Sequence, residues 1–304
     1  MPLAPNYQYM NILVTGGTGF VGSHLSTELH ERGHDVTALA RSADDSGLPD
    51  GVTLVTGDAT DYDSIVDAFE GQDVVVNLVA LAPMFKPKGG DRMHEVVHLG
   101  GTENVVNAAE AHDLDAIVQM SALGADPDGA TAYIRAKGRA ETVVRESDLP
   151  WTIFRPSVVF GEDAGFLEFT KALSTPFLTA LPGGGKTRFQ PIWIEDLVAM
   201  MAEAVEDDAH RGQTYDIAGP QALTLADVTR LVYRAEGKSV SILPVPMSLA
   251  GIGLALADPV PFVPFGSDQY RSLQFDNTTE DNDVTAFGRS AEDLRTLSDF
   301  LAVS

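Results

Sequence analysis

The chain has 304 residues, of which 44% are hydrophobic, so it can bury a substantial core as one large domain or two small ones. It contains no cysteine, which excludes disulfide bonds and thiolate metal sites. With 44 acidic and 20 basic residues the net charge is −24, which argues against nucleic acid as a partner because phosphate contacts need clustered Lys and Arg.

The first half of the chain alternates apolar runs with helical patterns. Strands are predicted at residues 11–15, 35–40, 52–56, 73–79, 116–120 and 152–154, and helices at 19–31, 62–69, 91–111 and 132–147. The strand runs are almost continuously apolar, as expected where both faces of a sheet are covered. The alternation therefore predicts an α/β fold, a doubly wound parallel sheet of the Rossmann type, over residues 10–160.

The second half is less regular, with frequent Gly and Pro and with single helices between short strands. Helices are predicted at residues 166–173, 194–206, 225–236 and 291–301. We expect a smaller, irregular α/β C-terminal region over residues 161–304 that contacts substrate or partner, with the segment 188–218 returning to the Rossmann domain. Its aromatic residues could line a cleft for an apolar molecule of the quinone or isoprenoid kind, or form core: Phe160, Phe166, Trp193, Phe262 and Phe265.

An apolar stretch at residues 242–265 raises the question of a membrane span, because it carries a single charge, Asp258. It also holds five prolines, and its uninterrupted helical part, residues 247–257, is only about half as long as a bilayer is thick. We therefore predict a buried or surface-lying helix and no transmembrane span. Contact with a membrane surface is the alternative.

A glycine-rich loop lies between the first predicted strand and helix, in the sequence ILVTGGTGFVGSHL at residues 12–25. Gly16, Gly19 and Gly22 are spaced GxxGxxG, which allows a tight turn and a close approach of the backbone to a pyrophosphate. The following helix offers free N–H groups and the positive end of its dipole to phosphate. The strand–loop–helix context predicts a dinucleotide site.

The tip of the second strand bears on the choice of dinucleotide. Sites that prefer NAD(H) tend to place an acidic residue there, where it binds the ribose hydroxyls. This chain has Arg41 and Ser42 instead, and Arg41 can pair with a 2′-phosphate. NADP(H) is therefore expected rather than NAD(H), and a solvent-facing arginine is the alternative.

Five further segments are informative: TGDATD (56–61), NLVA (77–80), GGTENVVNAA (100–109), RPSVVFG (155–161) and FQPIWIEDLV (189–198). Together with the glycine loop, they resemble the short-chain dehydrogenase/reductase superfamily in its extended or atypical branch, which is similar to NAD-dependent epimerases and dehydratases. The resemblance covers the chain nearly from end to end. Within the superfamily the pattern is most similar to the group of the nucleotide-binding accessory subunit of respiratory complex I. The resemblance implies a Rossmann fold, an NAD(P) cofactor and oxidoreductase or epimerase chemistry.

The resemblance also implies which residues contact the cofactor. They are Thr15, Gly16, Gly17, Thr18, Gly19, Phe20, Val21 and Gly22 of the loop, and Arg41, Ser42, Asp58, Ala59, Leu78, Val79, Ala80, Tyr133, Lys137 and Pro156. In this arrangement Asp58 would accept a hydrogen bond from the adenine amine, and Ala59 would line the adenine pocket.

Tyr133 and Lys137 form the pattern Y-x-x-x-K on a predicted helix, which places both on one face. The resemblance implies Tyr133 as general acid/base toward a carbonyl or alcohol, with Lys137 lowering its pKa and holding the nicotinamide ribose. Ser121, after the fifth strand, would polarise the substrate oxygen. The segment YIRAK departs from the YGxSK of sugar-nucleotide epimerases, and this departure resembles atypical members that bind the cofactor without turnover.

Two other motifs match patterns for binding sites of a different kind. HEVVH (94–98) matches the zinc pattern HExxH, but Asn104 occupies the third-ligand position and the same residues match the family's central helix, so no metal is expected. ALPGGGKT (180–187) fits a permissive phosphate loop, but a strand follows it, so a turn is expected. His24, His30 and His34, on or after the first helix, are expected to be solvated.

Three functions stay open. The first is an enzyme that transfers hydride to or from a small-molecule hydroxyl or carbonyl substrate. The second is a non-catalytic subunit of a respiratory NADH:quinone oxidoreductase that retains NADPH as a structural component. The third is a regulator that senses the cofactor.

The acidic residues, which are scattered along the chain, indicate where in the cell the protein is located. A net charge of −24 on a normally apolar chain resembles proteins of salt-loving archaea, whose multimolar salt screens self-repulsion. We expect a cytoplasmic, halophilic protein, with a position peripheral to the inner face of the membrane as the alternative. The alternative explanation of the net charge is an acidic enzyme from a mesophilic organism.

Overall fold

The computed structural model describes residues 9–42, 47–82, 84–162, 164–172, 174–175, 177–251 and 266–303. Its strands are β1 (Asn11–Thr15), β2 (Asp35–Ala40), β3 (Thr53–Thr56), β4 (Val74–Asn77), β5 (Ala116–Met120), β6 (Trp151–Pro156), β7 (Val159–Phe160), β8 (Phe177–Pro182), β9 (Arg188–Phe189), β10 (Ile192–Trp193), β11 (Gln213–Ile217), β12 (Leu223–Thr224) and β13 (Val240–Val245).

The helices of the described residues include α1 (Phe20–Glu31), α2 (Arg92–His94), α3 (Gly101–Ala111), α4 (Ala132–Glu146), α5 (Gly165–Ala172), α6 (Ile194–Glu206), α7 (Leu225–Ala235), α8 (Ser267–Ser272) and α9 (Leu297–Phe300). A π-helix, Glu95–Gly100, joins α2 to α3. Short 3₁₀ helices cover Tyr62–Ser64, Val66–Phe69, Asp208–His210, Asp283–Phe287 and Ala291–Asp293.

The core of the fold is a parallel sheet with the strand order β11-β6-β5-β4-β1-β2-β3. Successive strands add outward in one direction from β1 to β3 and in the other from β4 onward, so the switch point lies between β1 and β4. The central strands are fully buried because helices cover both faces of the sheet. The predicted doubly wound α/β fold of the Rossmann type is therefore confirmed.

Each face of the sheet has its own hydrophobic core. Helices α1 and α6 pack against each other on one face, where Leu25 and Leu29 meet Leu197 and Met201. Helices α3 and α4 cover the other face through residues such as Val105 and Val144. Because α6 and β11 come from the second half of the chain, that half contributes a helix and an edge strand to the Rossmann core.

The remaining C-terminal elements form a third cluster beside the carboxyl ends of the strands. Phe160 and Phe166 are buried in it together with residues of α7 and with Phe189 of β9. Trp193 lies between this cluster and the core under α6, with the Arg295 guanidinium 4.6 Å from its ring centroid. The sequence positions Phe262 and Phe265 lie outside the described residues.

Three helices differ from their sequence predictions. Residues 62–69 form two 3₁₀ turns, because the Ser64 hydroxyl bonds the carbonyl oxygens of Asp58 and Asp61 and holds the first turn tight. Residues 91–111 form the predicted helix with a π segment inserted. Residues 291–301 form two short helices, because Ser290 and Thr296 each cap a new one.

One histidine prediction is also wrong. His34 is buried rather than solvated, and its Nε2 lies 3.0 Å from a carboxylate oxygen of Glu206 at the end of α6. Arg32 binds the other oxygen of Glu206 at 2.7 Å. The burial arises because α6 returns across α1, a contact between residues more than 170 positions apart.

Candidate functional site

The glycine loop after β1 folds into a compact turn at the switch point of the sheet. The N–H groups of Gly16 and Gly17 donate to the Leu39 carbonyl at 2.8 and 3.2 Å, and Gly16 has a φ of +75°, which favours glycine. A Cβ on Gly22 would lie 2.2 Å from the Gly16 carbonyl oxygen, and one on Gly17 would lie 2.6 Å from the Ala38 Cβ. The loop therefore requires glycine at these positions for packing of its own backbone.

The same loop leaves the N-terminus of α1 open. Gly19 is the N-cap and supplies no side-chain cap, and the first helical bond runs from the Ser23 N–H to the Gly19 carbonyl at 2.8 Å. The N–H groups of Phe20, Val21 and Gly22 precede that bond, so they have no partner within the helix. Free amides at the positive end of a helix dipole form a binding site for an anion such as a diphosphate.

A crevice of about 280 Å³ extends from this helix end across the carboxyl ends of β1, β2 and β4. Nine of the predicted cofactor residues line it: Gly16, Thr18, Gly19, Arg41, Asp58, Ala59, Leu78, Val79 and Ala80. The side chains of Met93 and Val97, which the sequence did not single out, lie on the same wall. The crevice is therefore a continuous groove with an exposed arginine near β2 and apolar walls near β4.

Asp58 holds its own turn in the crevice. Its Oδ1 accepts hydrogen bonds from the Thr60 N–H at 2.9 Å and from the Thr60 hydroxyl at 2.8 Å. These bonds fix the loop after β3 as an Asx turn, and the backbone of Ala59 lies beside α3, where Asn104 Nδ2 donates to its carbonyl at 2.8 Å.

The other predicted cofactor residues lie behind or beside the crevice lining. Thr15 is fully buried and its hydroxyl donates to Asn77 Oδ1 at 2.7 Å, so it ties β1 to β4. Phe20 faces Gly161, where an added Cβ would lie 3.0 Å from its ring. Ser42 is exposed after β2, and Pro156 is buried at the end of β6. Gly17 and Gly22 shape the loop, and Val21 offers its backbone at the start of α1.

Helix α4 brings the predicted catalytic residues to the carboxyl end of β5. The helix is anchored through Glu141, which receives two hydrogen bonds from Arg155 of β6 at 2.8 and 2.6 Å. The Lys137 ammonium is buried and donates to the carbonyl of Met120, the residue before Ser121, at 2.9 Å. The Ser121 hydroxyl is also buried and has no hydrogen-bond partner among the described residues.

Burial dominates the electrostatics of the pair. Burial raises the pKa of Tyr133, and it lowers the pKa of Lys137 to about 8, with Glu141 acting in the opposite direction. The Lys137 ammonium is directed to the Met120 carbonyl, so the lowering of the tyrosine pKa by Lys137 stays a prediction. Tyr133 stays protonated at neutral pH.

Two histidines of the HEVVH motif pack against the tyrosine. The rings of His94 and His98 stack with centroids 5.5 Å apart, and the Tyr133 ring meets them edge-on at 5.6 and 5.3 Å. Burial lowers the pKa of both histidines, and Lys137 lowers that of His98 further, so both are neutral. Glu95 pairs with Arg139 on the surface. The described residues hold no group of three or more His, Asp or Glu side chains that could bind a metal ion.

A second cavity of about 310 Å³ lies on the other side of Tyr133. Its walls are mainly apolar and come from loops after β4, β5 and β6 and from the C-terminal region: Met84, Leu123, Ile134, Val158, Phe169, Phe189, Leu273 and Phe275. Asp216, Asp268 and Asn277 are among its polar residues. Phe160, Phe166 and Trp193, the aromatic residues that the sequence offered as lining, lie in the core instead.

Asp268 is a site residue that the sequence did not indicate. Its buried carboxylate accepts the Ala132 N–H at 3.0 Å at the start of α4, next to the Thr131 hydroxyl that caps the Ile134 N–H. The C-terminal region thus fixes the end of the helix that carries Tyr133. The local sequence around position 268 does not predict this contact, because the two partners are 136 residues apart.

The glycine-rich segment at 180–187 and the apolar stretch at 242–265 can be compared with their predictions. Residues 183–185 form a turn of three positive-φ glycines between β8 and β9, so the predicted turn is confirmed. The helix that begins at residue 247 continues to 251, and residues 252–265 lie outside the described residues. Among the helices of the described residues, none is both long and apolar enough to cross a membrane.

Comparison with known proteins supports the crevice as a nucleotide site. A family model described as NAD(P)H-binding matches residues 16–180. NADH dehydrogenase (ubiquinone) 1 alpha subcomplex subunit 9, mitochondrial, of Arabidopsis thaliana is 28% identical over 289 residues, which cover 88% of this chain and 71% of that protein. The predicted resemblance to the complex I subunit group is therefore confirmed.

Two reductases are also similar to the chain. The NAD(P)H azoreductase of Xenophilus azovorans is 27% identical over 259 residues, which cover 81% of this chain and 84% of the azoreductase. The crystal structure of the Citrobacter sp. triphenylmethane reductase complexed with NADP(H) has a TM-score of 0.73 at 20% identity and covers 96% of this chain and 99% of that one. At this identity the second similarity concerns the fold alone.

Proposed function

The chain belongs to the NAD(P)H-binding family, and from that premise we propose that it is an NAD(P)H-dependent reductase of an apolar, carbonyl-bearing acceptor of the quinone class. The apolar cavity of about 310 Å³ beside Tyr133 is the observation that carries the proposal. A mainly apolar pocket with a few convergent polar groups is typical of a site for a small organic molecule.

The loop after β4 contributes to both the cavity and the crevice. Leu78, Val79, Ala80 and Leu81 line the crevice, and Met84, a few residues along the same loop, lines the cavity. Both openings lie at the carboxyl ends of the parallel strands, where open α/β sheets bind their ligands. A nicotinamide at the inner end of the crevice would therefore lie next to the cavity that takes the acceptor.

When bound, the reduced nicotinamide would supply a hydride to the acceptor, and the one proton needed at the acceptor oxygen would come from solvent by way of the Tyr133 hydroxyl. Tyr133 lines the cavity and stays protonated, so its hydroxyl donates a hydrogen bond to the oxygen on which negative charge develops. Ser121 follows β5, and its buried hydroxyl has no hydrogen-bond partner within the described part of the chain, so we assign it as the second donor. Lys137 would hold the nicotinamide ribose, and it fixes the strand end through Met120.

For the cofactor we propose NADP(H) rather than NAD(H). Arg41 is exposed at the tip of β2 and lines the crevice where the adenosine ribose would lie. Its guanidinium can bind a 2′-phosphate through two charge-assisted hydrogen bonds, whereas NAD(H) offers it no such partner.

The name of one relative agrees with this reading, since an NAD(P)H azoreductase reduces its substrate with a nicotinamide cofactor. We take the acceptor of this chain to be an apolar organic molecule, which matches the Phe and Leu side chains of the cavity wall.

The direct test is NADPH oxidation with a water-soluble short-chain quinone in the presence of the purified protein. We expect turnover, and we expect Tyr133→Phe to lower kcat roughly a hundredfold while the Kd for NADPH stays the same, since removal of one transition-state donor costs about that factor. Equal turnover of Tyr133→Phe and the native protein would contradict the role of the hydroxyl.

A second variant tests the cavity itself. Phe275 lines it and is 41% exposed, so Phe275→Ser removes an apolar contact with little effect on stability. We expect the KM for the quinone to rise roughly five- to tenfold, the loss of about 1–1.4 kcal/mol of apolar contact, with an unchanged Kd for NADPH. Val96→Ser, at a position 44% exposed that lies outside both pockets, is the matched control.

A second candidate function is a non-catalytic, nucleotide-binding subunit of a respiratory complex. The similarity to the mitochondrial NADH dehydrogenase subunit favours it, and so does the direction of the Lys137 ammonium, which donates to the Met120 carbonyl. Tight NADPH binding without oxidation by any quinone, together with copurification with membrane-bound dehydrogenase subunits, would select this function. A binding partner that depends on the NADPH to NADP⁺ ratio would select the regulator.

A further inference from the structure

A two-stranded parallel ribbon stands apart from the main sheet in the C-terminal region. It consists of β8 and β13, paired from Phe177 with Val240 to Pro182 with Val245. On one face Thr179 and Leu181 are fully buried against the C-terminal core. Because side chains alternate along a strand, the next residues point the opposite way.

The outward face of the ribbon is almost entirely apolar. It carries Leu178, Ala180 and Pro182 from β8 and Ser241, Leu243 and Val245 from β13. Leu178 is 54% exposed and Leu243 is 49% exposed. Parallel strands are normally covered on both faces, so an open apolar face on this ribbon indicates a surface that something else covers.

The apolar surface includes both ends of the ribbon. Phe177, the first residue of β8, has a φ of +73°, which departs from regular strand geometry, and is 78% exposed. Leu249, in the helical turn that follows β13, is 61% exposed. We call the surface made by Phe177, Leu178, Leu243 and Leu249 the ribbon face. Four of the seven large hydrophobic residues most exposed among the described residues lie on it.

Lysines flank the ribbon face in an otherwise acidic protein. The chain has only six lysines, and three of them lie at the ribbon ends. Lys171 and Lys238 lie 3.0 and 2.9 Å from the carboxylate of Glu236 at the start of the ribbon. Lys186 is exposed just after its end. Lys171, Lys238 and Glu236 together carry one net positive charge.

A groove lies between the end of the ribbon and the substrate cavity. Pro182, Lys186 and Met247 line this groove, and they belong to the ribbon end and to the segments after it. Leu273 and Asp276 line both the groove and the cavity beside Tyr133, so the two are adjacent. None of the residues that line the groove belongs to the nucleotide crevice.

We propose that the ribbon face rests on the surface of a lipid bilayer with anionic headgroups, and that the acceptor enters the cavity from the bilayer through this groove. Apolar side chains that dip into the headgroup region, with lysines beside them, are the features by which a peripheral protein binds such a membrane. Anionic lipids repel the many acidic residues in the rest of the protein, and this repulsion orients the molecule with the ribbon face toward the bilayer. Entry of the acceptor rests on the proposed function, whereas the membrane contact does not.

The contact is tested by cosedimentation with vesicles of phosphatidylglycerol and phosphatidylcholine, at the lowest KCl concentration that keeps the native circular dichroism spectrum. We expect binding that is stronger to phosphatidylglycerol. Leu178→Glu/Leu243→Glu should lower the bound fraction at least tenfold, and Lys186→Gln/Lys238→Gln should lower the preference for phosphatidylglycerol, by roughly fivefold for each lysine removed. Val96→Glu, at an apolar position with similar exposure, should bind like the native protein.

The outcomes separate this proposal from the reductase proposal. Quinone reduction in the absence of vesicles reports on the reductase, and nucleotide-free vesicle binding reports on the ribbon face. Failure of the native protein to bind either vesicle overturns the membrane contact. So does an effect of Leu178→Glu/Leu243→Glu on oligomeric state alone, which would assign the ribbon face to a protein interface. If vesicles bind but a membrane-dissolved long-chain quinone is reduced no differently by the ribbon variants, the entry route is wrong.

Discussion

The nucleotide crevice and the substrate cavity lie side by side, yet they are built in different ways. Backbone and small residues of successive β–α turns form most of the crevice, from the glycine loop to the turn after β4. Side chains from loops far apart in the chain form the cavity, from Met84 to Asn277. A site made from local turns leaves its pattern in the sequence, whereas a site made by the meeting of distant loops does not.

The same contrast explains how the two sites can change. In the crevice a Cβ at the wrong position collides with backbone, so substitutions there are restricted by geometry. In the cavity the walls are interchangeable apolar side chains, so the substrate can change while the fold stays the same. The predictions below test the contrast from its strongest point outward.

The largest effect is expected at the glycine loop. Gly22→Val should weaken NADPH binding at least a thousandfold, about 4 kcal/mol, because the new side chain would occupy the space of the Gly16 carbonyl and displace the loop. Isothermal titration with NADPH measures the loss. Gly165→Ala, where an added Cβ meets nothing within 4 Å, is the control. Retention of native affinity in Gly22→Val would mean that the loop is not the phosphate site.

A smaller effect is expected at the border between the two sites, where Lys137 is buried. Its pKa is lowered to about 8, below that of a lysine in the unfolded chain, so between pH 8 and 10.5 the unfolded chain binds a proton that the folded chain does not. The free energy of unfolding of the native protein should therefore rise with pH across this window, relative to Lys137→Met, by about 3 kcal/mol.

Chemical unfolding of both proteins at several pH values and one KCl concentration measures this difference. Lys88→Met, at an exposed position, is the control for the loss of one positive charge. A difference between native protein and Lys137→Met that stays constant from pH 8 to 10.5 would show that the lysine is solvated in the folded state.

The smallest effect is expected at the outer end of the crevice. Arg41→Ala should lower the preference for NADPH over NADH about tenfold, the contribution of one charge-assisted contact of about 1.4 kcal/mol, and leave kcat with NADH unchanged. The ratio of kcat/KM for the two cofactors measures it. Arg230→Ala, an exposed arginine paired with Asp227, is the control. An unchanged ratio would make Arg41 a solvent-facing residue.

Much of the fold followed from short-range pattern. Strands β1, β2 and β5 and helix α6 have the predicted bounds, because a buried strand or amphipathic helix must repeat its apolar residues at a fixed period. The errors fell where polar side chains intervene locally. Ser64 holds two 3₁₀ turns in place of a helix, and Ser290 and Thr296 divide the C-terminal helix in two.

The candidate site divides in the same manner. The sequence led to most of the crevice lining and to Ser121, Tyr133 and Lys137, and it expected no metal at His94 and His98 despite their zinc-like spacing. The structure shows the two histidines stacked on each other and packed against Tyr133, with no hydrogen bond from their rings within the described part of the chain. Spacing places two histidines on one helical face, but only the packed chain determines what that face meets.

The sequence by itself determined the sheet, the glycine loop and the end of α1, since these depend on residues within a few positions of one another. Only the tertiary structure decided the state of the titratable groups and the shape of the cavity. His34 became buried because α6 crosses α1, Lys137 turned to a backbone carbonyl, and Asp268 reached the start of α4 across 136 residues. Burial and electrostatic energy depend on everything that surrounds a group, and that is fixed by the three-dimensional packing of the whole chain.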